Sequence, residues 1–140
     1  MIGSLRGRIF RKTPQDLLVE VGGVGYRVLV PISTFCRLPD PGAETQLYIH
    51  THVREDQLAL YGFGTPIEQE LFEKLIAVSG VGPKVALGIL SGIETDDLLA
   101  AIRDNDVARL TRAPGVGKKT AERLSLELKD KRKHIAAAAP

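Results

Sequence analysis

The chain has 140 residues, 44% of them hydrophobic and 26% charged, which suits one ordinary core or two small ones in a soluble protein. No apolar run approaches the roughly 18 residues of a membrane span. The start Met1-Ile2-Gly3-Ser4-Leu5-Arg6 lacks the order of an export signal, and a single cysteine, Cys36, excludes an internal disulfide or a cysteine metal cluster. A cytoplasmic location is therefore expected. A net charge of +2 is too small for the whole surface to attract a polyanion, so any nucleic-acid contact must be local.

From the N-terminus, short runs alternate apolar and polar positions between glycines and prolines, as in Ser4-Leu5-Arg6-Gly7-Arg8-Ile9-Phe10 and Leu17-Leu18-Val19-Glu20-Val21. Gly22-Gly23 separates the second run from Tyr26-Arg27-Val28-Leu29-Val30, predicting a hairpin with a glycine turn. Gln46 to Val53 and Leu58 to Phe63, joined by the polar Arg54-Glu55-Asp56-Gln57, predict a second hairpin. Five short strands with a segment around Ile32 to Leu38 after the third fit a Greek-key barrel of the oligonucleotide-binding (OB) type over residues 1–63. Another five-stranded barrel is the plain alternative.

At Gly62-Phe63-Gly64-Thr65-Pro66 the spacing becomes helical. Thr65 is placed to cap a helix, with Pro66 at its first position and Glu68 completing a capping box. Leu71, Phe72, Leu75, Ile76 and Val78 form the buried stripe. The fold class expected is α+β in two domains: the barrel, then an all-α domain over residues 64–134, with residues 135–140 opening a flexible linker.

The helical half repeats itself at an offset of 35 residues, which pairs Leu75 with Leu110, Gly80 with Gly115, Val81 with Val116, Gly82 with Gly117, Lys84 with Lys119 and Ala86 with Ala121. Two copies are too few for a solenoid, so a duplicated small module is the better reading. Each copy runs helix, Gly-Val-Gly, helix. Glycines admit backbone angles closed to other residues and clear side chains from the approach. The next helix opens with unpaired N–H groups and a positive dipole end. Together these make a seat for phosphate, with a lysine two residues after the second glycine in reach of the same anion. One Gly-x-Gly between helices commonly only ends a helix; two in register, each followed by lysine, favour binding. The basic residues Lys129 to Lys133 are read as a solvated helix end.

The segments Ser79-Gly80-Val81-Gly82-Pro83-Lys84 and Ala113-Pro114-Gly115-Val116-Gly117-Lys118-Lys119-Thr120-Ala121-Glu122-Arg123-Leu124 resemble the RuvA family of bacterial Holliday-junction proteins. The resemblance extends through Met1-Ile2-Gly3, Val21-Gly22-Gly23-Val24-Gly25-Tyr26 and His52-Val53-Arg54-Glu55-Asp56 to essentially the whole chain. It implies a non-catalytic DNA-binding subunit, without cofactor, that holds a four-way junction open and planar during recombination and repair. It further implies a tetramer, or two tetramers on one junction, working with the RuvB ATPase and the RuvC resolvase. On that resemblance Gly80, Val81, Gly82, Lys84, Gly115, Val116, Gly117, Lys118, Lys119, Thr120 and Arg123 bind DNA phosphates, and Glu55 and Asp56 form an acidic pin at the junction centre. Without it, residues 54–57 read as a solvated hairpin tip. The family's motor-docking domain follows a linker, and Ala136 to Pro140 resembles the beginning of that linker.

Two rival readings share these features. The second hairpin also resembles that of base-excision glycosylases, but no acid follows it between Ile135 and Pro140 and there is no tryptophan. A single-strand binder would use stacking aromatics, for which Phe10, Tyr26, Tyr48 and Tyr61 are the candidates, although scattered aromatics in a small barrel are more often core. His50 and His52 share a strand face, but two imidazoles without a third ligand are a poor metal site.

Overall fold

The computed structural model describes residues 1–14 and 16–129. Most of the basic run ending at Lys133, and residues 135–140, lie outside that range. The chain forms two compact units that divide between Gln69 and Glu70.

The first unit is a closed five-stranded barrel. Its strands β1 (Ser4–Lys12), β2 (Leu17–Val21), β3 (Val24–Leu29), β4 (Glu44–Arg54) and β5 (Gln57–Phe63) pair in the order β1-β2-β3-β5-β4, and β4 closes onto β1. All pairings are antiparallel except β3 with β5, where Val28 lies opposite Leu60. The helix α1 (Ile32–Arg37) follows β3, where the sequence placed an inserted segment. This is the OB architecture. Inward positions at period two fill the barrel with Leu5, Ile9, Leu17, Val19, Val28, Leu47, Ile49 and Leu60. The β2–β3 turn is Gly22-Gly23, both at positive φ, as a two-residue hairpin turn requires.

Two local expectations are corrected. Phe10 is the extra residue of a bulge in β1, where Ile9 faces Val19 but Arg11 faces Leu18; the bulge turns it outward, 63% exposed. Tyr26, Tyr48 and Tyr61 are half-buried, Tyr26 packing against the barrel core, so none of the four aromatics is fully buried. The capping box at Thr65 takes a different form. Its hydroxyl accepts from the Glu68 amide at 3.3 Å and donates to the Glu68 carboxylate at 2.8 Å, and Arg37 Nη1 lies 3.8 Å from the same carboxylate oxygen.

The second unit is helical: α2 (Pro66–Ile76, begun in the first unit), α3 (Pro83–Gly92), α4 (Thr95–Arg103), α5 (Val107–Leu110) and α6 (Lys118–Lys129). Its core draws on Leu71, Phe72, Leu75, Val78, Ile89, Leu98, Ile102, Leu110, Leu124 and Leu128. Between the copies, α4 ends in a Schellman motif: Asp106 N–H donates to Ala101 O at 2.8 Å and Asn105 N–H to Ile102 O at 3.4 Å, with Asn105 left-handed at φ 55°. The buried Ser125 hydroxyl on α6 donates to the Asn105 side-chain oxygen. Asp106 then caps α5, its carboxylate accepting from the Arg109 amide at 3.1 Å.

Candidate nucleic-acid interface

The repeat of 35 residues is a repeat of hydrogen bonds. Val78 N–H donates to Leu75 O at 3.1 Å and Ala113 N–H to Leu110 O at 3.2 Å; Val81 N–H donates to Val78 O at 3.0 Å and Val116 N–H to Ala113 O at 3.1 Å. Across the second glycine, Ala86 N–H donates to Gly82 O at 3.0 Å and Ala121 N–H to Gly117 O at 2.9 Å. Each hairpin is thus one tight turn between two helices.

The two glycines of each copy do different work. Gly80 and Gly115 sit at φ +88° and +81°, where a side chain is strained. Gly82 has an ordinary extended backbone as the residue preceding α3, and a Cβ at Gly82 or Gly117 would meet open space. The first glycine therefore makes the turn, and the second keeps the approach to the helix start clear. Val81 and Val116, 4% and 6% exposed, anchor the turns in the core. No side chain caps α3, so the amides of Lys84 and Val85 point outward unclaimed by a cap. The α6 helix opens with Lys118, Lys119 and Thr120, the last half-buried. Lys84, Lys118 and Lys119 are exposed, and among the described residues none is held in an ion pair. A helix start with its positive dipole end and exposed lysine side chains is thus repeated at both hairpins, a combination suited to an anion.

The copies differ at their helix starts. Pro83 stands where the second copy has Lys118, so the first hairpin has one fewer N–H and one fewer positive charge. Arg123, grouped by its place in the chain with the second hairpin, is found at the first. Its Nη1 donates to the Ser79 carbonyl at 3.1 Å and lies 3.5 Å from where a Cβ on Gly80 would stand. Ser79, Val85, Gly88 and Pro114 were not among the site residues expected from the sequence. A Cβ on Gly88 would lie 3.4 Å from the Pro114 carbonyl oxygen, and one on Gly115 would lie 3.5 Å from Val85, so α3 packs on the second hairpin as Arg123 of α6 reaches the first. The signal was present: the same offset pairs Ser79 with Pro114 and Gly88 with Arg123.

In the barrel unit, Glu55 and Asp56 form the two-residue turn between β4 and β5, both exposed. The strands run to Arg54 and Gln57, which pair with each other, so the acidic tip directly closes the hairpin. Behind it Arg54 Nε donates to His52 Nε2 at 3.2 Å, which requires that nitrogen to be unprotonated. The His52 pKa is lowered, first by partial burial, then by the Arg54 guanidinium and by His50, whose ring lies 5.8 Å away. Among the described residues no group of three His, Cys, Asp or Glu is placed to hold a metal ion. Nor is any described helix long and apolar enough to cross a membrane.

Residues 1–62 match the family described as RuvA N terminal domain, and residues 72–130 match SAM-like Helix-hairpin-helix tandem. The chain is 60% identical over 131 residues to the Holliday junction branch migration complex subunit RuvA of Solibacter usitatus, covering 94% of this chain and 66% of the relative. It is 54% identical over 140 residues to that of Acidobacterium capsulatum, covering all of this chain and 71% of the relative. With that of Geobacter sulfurreducens it is 53% identical over 131 residues. The chain thus spans about two thirds of the length of these relatives.

Proposed function

Since the chain belongs to the RuvA family, we propose that it is the DNA-binding subunit of a Holliday-junction branch-migration complex, gripping four-way junctions by their phosphates without reading base sequence. The observation that carries this reading is the doubled hairpin, two helix–turn–helix units built to one hydrogen-bond pattern. Backbone amides and lysines recognise phosphate whatever the base, so the grip is sequence-neutral. In this reading residues 64–134 supply the grip and the barrel, residues 1–63, presents the acidic pin. Carboxylates at Glu55 and Asp56 repel phosphates at short range and so disfavour an intact duplex across the junction centre. The chemistry is binding rather than catalysis. The ATP-driven motor is RuvB, engaged through a part of the family's chain that follows these residues; a tetramer arranged around the junction, acting in the cytoplasm and alongside RuvC, completes the proposal.

The test is the salt dependence of binding to a synthetic four-way junction. Lys118→Ala combined with Lys119→Ala weakens binding and lowers the slope of log K against log salt by about 0.9 for each phosphate no longer neutralised. An unchanged slope would remove the hairpins as the seat.

A further inference from the structure

The first hairpin has a deficit that the second lacks. Where Lys118 opens α6, Pro83 opens α3, and Lys84 is the one cation that the first hairpin's own helix start provides. The guanidinium of Arg123 stands at this poorer hairpin. The residue at the corresponding place on α3 is Gly88, which has no side chain to reach back in the same way and packs its backbone against Pro114 instead.

We propose that Arg123 is a positioning residue of the first phosphate seat, reaching across from the second repeat to hold the Ser79 carbonyl and to supply the positive charge that Pro83 omits. This rests on the reading of the hairpins as phosphate seats. Gly80, at φ +88°, is the most permissive joint of the turn. Fixing the carbonyl that precedes it fixes the peptide plane entering the joint, and with it the direction of the amides beyond Gly82. A guanidinium has five N–H donors in a rigid fork, so one spent on Ser79 leaves others for an anion at the same place. The two seats are thereby linked: the helix that opens the second seat also braces the first.

Two measurements on the full chain test this. In DNA-free protein, Arg123→Ala moves the amide resonances of Gly80 and Gly82 and leaves those of Gly115 and Gly117 in place, while Arg123→Gln, which keeps a side-chain N–H donor, moves the first pair less. In binding to plain duplex, Arg123→Ala costs about tenfold, the size expected for a hydrogen bond to a charged group. Combined with Lys84→Ala the reduction falls short of the product of the two single reductions; combined with Lys119→Ala the two multiply. Unmoved Gly80 and Gly82 resonances, or coupling to Lys119 rather than Lys84, overturns the assignment. So does an equal shift of all four glycines with a lowered Tm, the mark of a general packing role. Should the unsubstituted chain fail to bind DNA, the seat reading falls, and the resonances still decide whether Arg123 positions the hairpin.

Discussion

Asn105 shows how much one residue can settle in the link between the two copies. It takes the left-handed conformation that ends α4, and its side-chain oxygen receives the buried Ser125 hydroxyl. Asparagine tolerates that backbone better than other residues with a Cβ, and glycine better still. Asn105→Ala is therefore expected to destabilise the fold by about 2 kcal/mol, part from backbone strain and part from a buried hydroxyl left unpaired. Asn105→Gly, which relieves the strain but not the orphaned hydroxyl, costs less. Urea titrations of the two variants measure the difference; equal destabilisation would leave the backbone contribution without support. Nothing in the local sequence marked Asn105, because its partner is 20 residues away on α6.

At the scale of the element, the hairpins separate folding from binding within three residues. Gly80→Ala or Gly115→Ala puts a side chain into a left-handed backbone and lowers stability by about 1–2 kcal/mol. A methyl group at Gly82 or Gly117 meets open space and no such strain, so Gly82→Ala or Gly117→Ala leaves stability within about 1 kcal/mol of the parent. On the proposed function that methyl group stands in the path of a phosphate, and binding to duplex DNA is expected to fall about tenfold, as removal of one charge-assisted hydrogen bond would produce. Thermal unfolding and fluorescence anisotropy on all four variants check the division. If Gly117→Ala binds as well as the parent, the open space is not the phosphate's path. The repeat made both glycines legible as one motif, but their separate duties became visible only with the backbone angles, since spacing alone does not say which glycine bends.

For the molecule as a whole, the proposed function sets the acidic tip against the phosphate seats, and the proposed junction preference depends on that opposition. Glu55→Gln with Asp56→Asn removes the repulsion while keeping the turn. Binding to plain duplex then strengthens several-fold at low salt, where exposed charges are least screened, and the margin favouring the four-way junction narrows. Duplex affinity that does not rise would remove the pin from the mechanism. The sequence by itself determined the barrel followed by helices, the strand order's raw material and the doubled Gly-Val-Gly, because these rest on period-two and helical patterning and on turn chemistry, which are local. Tertiary structure alone decided the outward turn of Phe10 and the placement of Arg123 at the first hairpin. The reason is the same in each case: a bulge, a hydrogen bond or a reach between repeats depends on which distant backbone comes alongside, and chain order carries no measure of that distance.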